Sequence, residues 1–173
     1  MRLGLLLLFV LLFAPPPAEV QDSGGPNAHP FSISSLNTAF GMQGEFEGEY
    51  RVYPDRIELR VTKANIHISE HCPYKGRRLL SALNFGLAAE AGGGRWKVDS
   101  WGQEFPLEQV MSPGETHSLG ELYFHIPRGE SADLSKHWLV VQMEDIALDV
   151  PDEKRRKGYA FAQSCRDIFT RGK

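Results

Sequence analysis

Two basic runs carry most of the chemistry this sequence offers. KGRR supplies Lys75, Arg77 and Arg78; KRRK supplies Lys154, Arg155, Arg156 and Lys157, with Arg166 close behind. A guanidinium presents a planar fork of donors that matches sulfate and carboxylate. A cluster of such groups concentrates positive potential. The expected chemistry is the holding of an anion, and a sulfated glycan is the usual polyanion outside cells. The same runs are dibasic, and KGRR places a glycine before its pair, which also suits a hormone precursor cut into peptides. Strand patterns surround both runs, and folded strands resist proteases, which weighs against that alternative.

Other reactive side chains form weaker constellations. HISEHC gathers His67, Glu70, His71 and Cys72, all of them possible zinc ligands. With a period of two, His67 points away from Ile66 and Ile68 toward solvent, and no metal site is expected. In EDIALDVPDE, the acids Glu144, Asp145, Asp149, Asp152 and Glu153 lack the spacing of a calcium loop. No nucleophile elbow or phosphate loop is present; the glycines at 92–94 are followed by neither lysine nor helix. No cofactor is expected. The chain reads as a binding protein rather than an enzyme. A secreted enzyme with catalytic groups on distant loops, or a carrier of a small ligand, is the alternative.

The chemistry is expected outside the cell. After Arg2, residues 3–14 are an unbroken apolar run, shorter than the roughly 20 residues that span a bilayer and suited to a secretory signal. The reading is a signal peptide over residues 1–18, a flexible Gly/Pro-rich leader over 19–30, and a single β domain over 31–173. No later run reaches membrane-spanning length. Cys72 and Cys165, an even pair in an oxidising compartment, are expected to form a disulfide. It would be worth about 4–5 kcal/mol in the chain-entropy model. The formal net charge of −3 gives no bulk attraction to nucleic acid.

The elements that must position these groups are strands. In EFEGEYRV, Phe46, Tyr50 and Val52 share one parity, with Glu45, Glu47, Glu49 and Arg51 on the other. YPDR turns the chain, and Ile57, Leu59 and Val61 continue the alternation. The apolar positions then shift to Ala64, Ile66 and Ile68. A slip of one residue turns later side chains to the wrong face unless a β-bulge near Thr62–Lys63 absorbs it. Further alternation runs through LNFGLA, RWKVDSW, ELYFHIP, HWLVVQM and YAFAQSC, with turn chemistry in GGG, SPGE and PRGE. Trp96 and Val98 are assigned to the core with Phe85, Leu122, Phe124, Leu139, Val141, Tyr159 and Phe161. Helical periodicity is weak, with at most one turn over 79–83. About seven or eight short strands predict an all-β antiparallel sandwich, with a closed barrel as the alternative. The expected role is a secreted extracellular ligand, co-receptor or matrix-associated factor, partnered by an extracellular protein or a sulfated glycan.

Overall fold

The computed structural model describes residues 26–37, 41–71, 76–93, 95–129, 133–151 and 157–163. Among these are ten strands: β1 (His29–Asn37), β2 (Met42–Val52), β3 (Arg56–Ile68), β4 (Arg78–Gly92), β5 (Arg95–Trp101), β6 (Phe105–Met111), β7 (Thr116–Ser118), β8 (Leu122–Pro127), β9 (His137–Ala147) and β10 (Lys157–Gln163). Leu134–Lys136 forms a short 3-10 turn before β9.

The strands form two antiparallel five-stranded sheets, an all-β sandwich and not a barrel. The first sheet runs β1-β2-β3, and β3 then pairs β8 along its first half and β7 along its second. The second runs β10-β9-β4, and β4 pairs β6 near its start and β5 toward its end. The edge strands β1 and β10 lie against each other along one side, and β8 meets β4 and β5 on the other.

One core fills the space between the sheets. Phe46 of β2 meets Phe85 of β4 edge-on with centroids 5.6 Å apart, and Phe124 of β8 meets Phe85 at 4.7 Å. Such contacts add to the area term, which is about 1.5–3 kcal/mol for a fully buried large apolar side chain. Ile57, Leu59, Val61, Ile66, Ile68, Leu139, Val141 and Met143 complete the inward rows.

The β2–β3 hairpin forms as its alternation requires. Val52 pairs Ile57, and the Tyr53 N–H donates to the Arg56 carbonyl at 2.8 Å across the YPDR turn. The bulge falls at Thr62. Glu47 pairs Lys63, the next residue Gly48 pairs Val61, and Thr62 is left opposite nothing. It stands where β3 changes partner from β8 to β7. Gly48 is required there, because a Cβ on it would lie 2.0 Å from the Arg60 carbonyl oxygen.

Several expectations are corrected. Residues 79–83 are strand rather than a helical turn. Ser81 is the extra residue of a second bulge, its hydroxyl donating to Glu144 Oε1 at 2.9 Å. His29 and Pro30, read as leader, already pair Tyr50 and Glu49. Trp96 is 41% exposed, and Val98 and Val52 are only partly buried. β6 had no clean rhythm in the sequence, since Pro106 sits within it and Glu108 adopts φ 48°. β7 is three polar residues held against β3. The side chains of Tyr159 and Phe161 lie outside the described residues. No helix among the described residues is long and apolar enough to cross a membrane.

Candidate binding surfaces

The described ends of the two basic runs, Arg77 and Arg78 of KGRR and the Lys157 backbone of KRRK, lie at one end of the second sheet. Arg78 opens β4 opposite Ala147 of β9, the Leu148 N–H donates to the Arg77 carbonyl at 2.9 Å, and Lys157 opens β10 opposite Ile146. Neighbouring strands are about 4.8 Å apart, so the starts of β4 and β10 stand about 10 Å apart across β9. That exceeds the Debye length of about 8 Å at physiological salt, so exposed charges at the two strand starts are partly screened from each other. Lys154, Arg155 and Arg156 belong to the connection between Pro151 and Lys157. Lys75, Lys154, Arg155, Arg156, Arg166 and both cysteines lie outside the described residues, as does the Lys157 side chain, so the expected Cys72–Cys165 disulfide falls outside them as well.

Two of the basic residues have other duties. Arg78 does not belong to an exposed patch: it is 4% exposed, and its guanidinium closes on the Asp145 carboxylate, which is fully buried in β9. Burial raises the Asp145 carboxyl above the usual range, with the nearby Arg78 charge opposing the shift. Arg77 is exposed but is held by Asp149. Its backbone N–H donates to Oδ2 at 2.7 Å and its Nη2 to Oδ1 at 2.9 Å. Gly76, with φ 117°, lets this turn form, since a Cβ there would come 2.9 Å from the Asp149 Cβ. The glycine of KGRR is thus explained by a left-handed backbone. A processing protease, which cuts after such a pair, would have to strip Arg78 and Leu79 out of β4 to reach the bond between them. Three acids of the acidic stretch have partners as well: Glu144, Asp145 and Asp149 meet Ser81, Arg78 and Arg77, while Asp152 and Glu153 lie outside the described residues. Parity and charge spacing along the chain do not reveal these pairings, because the partners sit on different strands.

The outer face of the first sheet is a ladder of opposite charges. Lys63 Nζ lies 2.8 Å from Glu47 and 3.4 Å from Glu45, and Arg60 bridges Glu49 and Glu121. The Tyr123 hydroxyl donates to Glu121 at 2.6 Å. Hydrogen bonds from Arg60 and then Tyr123 hold the Glu121 carboxyl below its usual range. The acidic strand 45–49 is therefore a compensated, solvated face. His67 stands on it with Nδ1 3.0 Å from Thr116 Oγ1. Among the described residues no group of three or more His, Cys, Asp or Glu is placed to hold a metal ion.

A shallow pocket at the ends of β5 and β9 sets His137, Asp99 and Ser100 side by side. The arrangement does not make a nucleophile and base. His137 Nε2 lies 3.0 Å from Asp99 Oδ2 and Nδ1 lies 2.8 Å from the Asp133 carbonyl oxygen. Both ring nitrogens are turned to these other partners, and the Ser100 hydroxyl has no hydrogen-bond partner among the described residues, so the two side chains are not joined. The ring ties the 3-10 turn to β5.

No family model, curated protein or solved structure matches the chain.

Proposed function

We propose that the chain is a secreted, non-catalytic binding protein of the extracellular space, a ligand, co-receptor or matrix-associated factor. It holds a sulfated glycan at the end of the sandwich where β4 begins and β9 turns into β10. The observation that supports this reading is the hydrogen bond from the Leu148 N–H to the Arg77 carbonyl, which joins KGRR to the end of β9, from which the chain runs on to KRRK. Export is supported by the apolar N-terminal run. With Arg78 withdrawn into the core and Arg77 held by Asp149, the groups assigned to the glycan are Lys75, Lys154, Arg155, Arg156 and Lys157. Asp152 and Glu153 offset part of that charge, which favours a densely sulfated ligand over a sparsely charged one.

Heparin chromatography tests it. The mature protein is expected to stay bound beyond about 0.15 M salt. Replacing Lys154, Arg155, Arg156 and Lys157 together with alanine is expected to move it to the flow-through, while Lys63→Ala on the opposite sheet leaves elution unchanged. Flow-through of the unaltered protein at that salt, or elution indifferent to the fourfold change, would end the proposal.

A further inference from the structure

Among the described residues Arg77 is the one exposed cation of the two basic runs, its side chain 60% exposed. Three of its donors converge on one carboxylate. The backbone N–H meets Asp149 Oδ2 at 2.7 Å, Nε meets the same oxygen at 3.3 Å, and Nη2 meets Oδ1 at 2.9 Å. A guanidinium fork joined by a backbone N–H is a cradle for an anion. The turn before it gives the cradle its shape: Gly76 takes φ 117° and, with no Cβ, lets Asp149 lie close against it. The anion in the cradle belongs to the chain itself.

Strand pairing does not depend on this carboxylate. β4 and β9 are joined from Arg78 opposite Ala147 to Ala89 opposite His137, and the Leu148 N–H closes on the Arg77 carbonyl. An exposed ion pair shifts an equilibrium by no more than about fivefold. The Asp149 side chain is 39% exposed, so a dissolved anion can reach the pair. The neighbouring Arg78–Asp145 pair, sealed in the core, is closed to such an approach. Asp149 stands five residues ahead of Lys154, so no more than about 18 Å of chain separates the cradle's carboxylate from KRRK.

We propose that Asp149 is an internal competitor at an anion site, filling the Arg77 cradle until a sulfate group takes its place. The exchange uses the donors already in position and changes hydrogen bonds only. It also sets a preference. A ligand with one isolated anionic group gains little, because it replaces one ion pair with another. A densely sulfated chain held at the same end of the sandwich presents its next sulfate at high local concentration and displaces Asp149. The identity of that ligand rests on the glycan reading above; the exchange at Arg77 does not.

The exchange is read at Arg77 itself. Sodium sulfate would be titrated into the mature protein, with sodium chloride as the ionic-strength control, while the nitrogen-15 NMR signal of Arg77 Nε is followed. In Asp149→Ala the half-saturating sulfate concentration is expected to fall about fivefold from that of the unaltered protein. On heparin, Asp149→Ala is expected to elute at higher salt, and adding Arg77→Ala to it should abolish that gain. Glu45→Ala changes the net charge equally on the other sheet and is expected to elute with the unaltered protein. These side chains are exposed, so melting temperatures are expected to hold. Asp149→Asn, which keeps the shape without the charge, repeats the test if Asp149→Ala melts lower. The proposal is overturned if Arg77 ignores sulfate in Asp149→Ala, or if both proteins half-saturate at the same concentration. It is overturned equally if the heparin gain survives the loss of Arg77, or if Glu45→Ala gains as much. Sulfate exchange at Arg77 in a protein that heparin does not retain would uphold the cradle and end the glycan reading.

Discussion

Replacing Arg78 with methionine is expected to remove about 3–5 kcal/mol of folding stability, because it leaves the Asp145 carboxylate buried without its counter-charge. Asp145→Leu alone should cost a similar amount for the converse reason. Both changes together should restore the wild-type denaturation midpoint or exceed it, since hydrophobic replacement of a whole buried pair is neutral or stabilising by about 1–4 kcal/mol. The raised Asp145 carboxyl points the same way: the cost of taking the carboxylate out of water exceeds what Arg78 returns. The sign with pH follows. A carboxyl whose folded pKa lies above its unfolded value contributes stability that is present below the unfolded pKa and lost as pH rises through the folded one. The Arg78→Met protein should therefore regain stability as pH falls toward that raised value, while the double variant loses the slope this group supplies. Urea unfolding of the four proteins at neutral and mildly acidic pH measures both effects. Additive single losses with no recovery in the double variant would show that the two residues do not act as a pair.

Gly48→Val is the second large effect. Its Cβ would lie 2.0 Å from the Arg60 carbonyl oxygen and 2.9 Å from the Val61 Cα, both backbone atoms that cannot swing aside. Packing against a yielding core costs about 1–3 kcal/mol; here the expected loss is about 3 kcal/mol or more. The chain can relieve the clash only by giving up the Thr62 bulge, and that would turn Ala64, Ile66 and Ile68 out of the core. Gly93→Ala is the control: its φ is 62° but nothing lies within 4 Å of the new methyl group, so only the left-handed penalty of about 1–2 kcal/mol is expected. Equal losses at the two positions, read from denaturant midpoints, would show that the close approach at Gly48 is not what sets its cost.

Legibility in the sequence followed the reach of each interaction. The β2–β3 hairpin and its bulge were readable because both depend on neighbours: YPDR turns the chain locally, and the phase slip after Val61 is a property of consecutive residues. β9 and β8 were readable for the same reason. Trp96 and Val98 were misplaced because the second sheet is apolar on both faces at that end, and alternation then cannot tell inside from outside. β5 also bulges at Asp99, where Val98 opposes Ala88 and Ser100 opposes Leu87, and the run of polar and aromatic residues there carries no signature of it. Arg78 was the clearest miss. A charged residue at a strand start reads as solvated, and only the pairing of β4 with β9 sets it beside Asp145. The pairings of β4 with β9 and of β9 with β10 set Arg77 and Arg78 two strands from the start of β10.

The rims of the sandwich also bear on its life in a crowded fluid. β1 and β10 cover each other's flanks, Pro106 deletes a donor from β6, and Glu108 bends that strand out of register with any would-be neighbour. A protein built almost wholly of strands is in constant danger of recruiting its own kind end to end. At β1, β10 and β6, this one offers an incoming chain little straight unused backbone to copy.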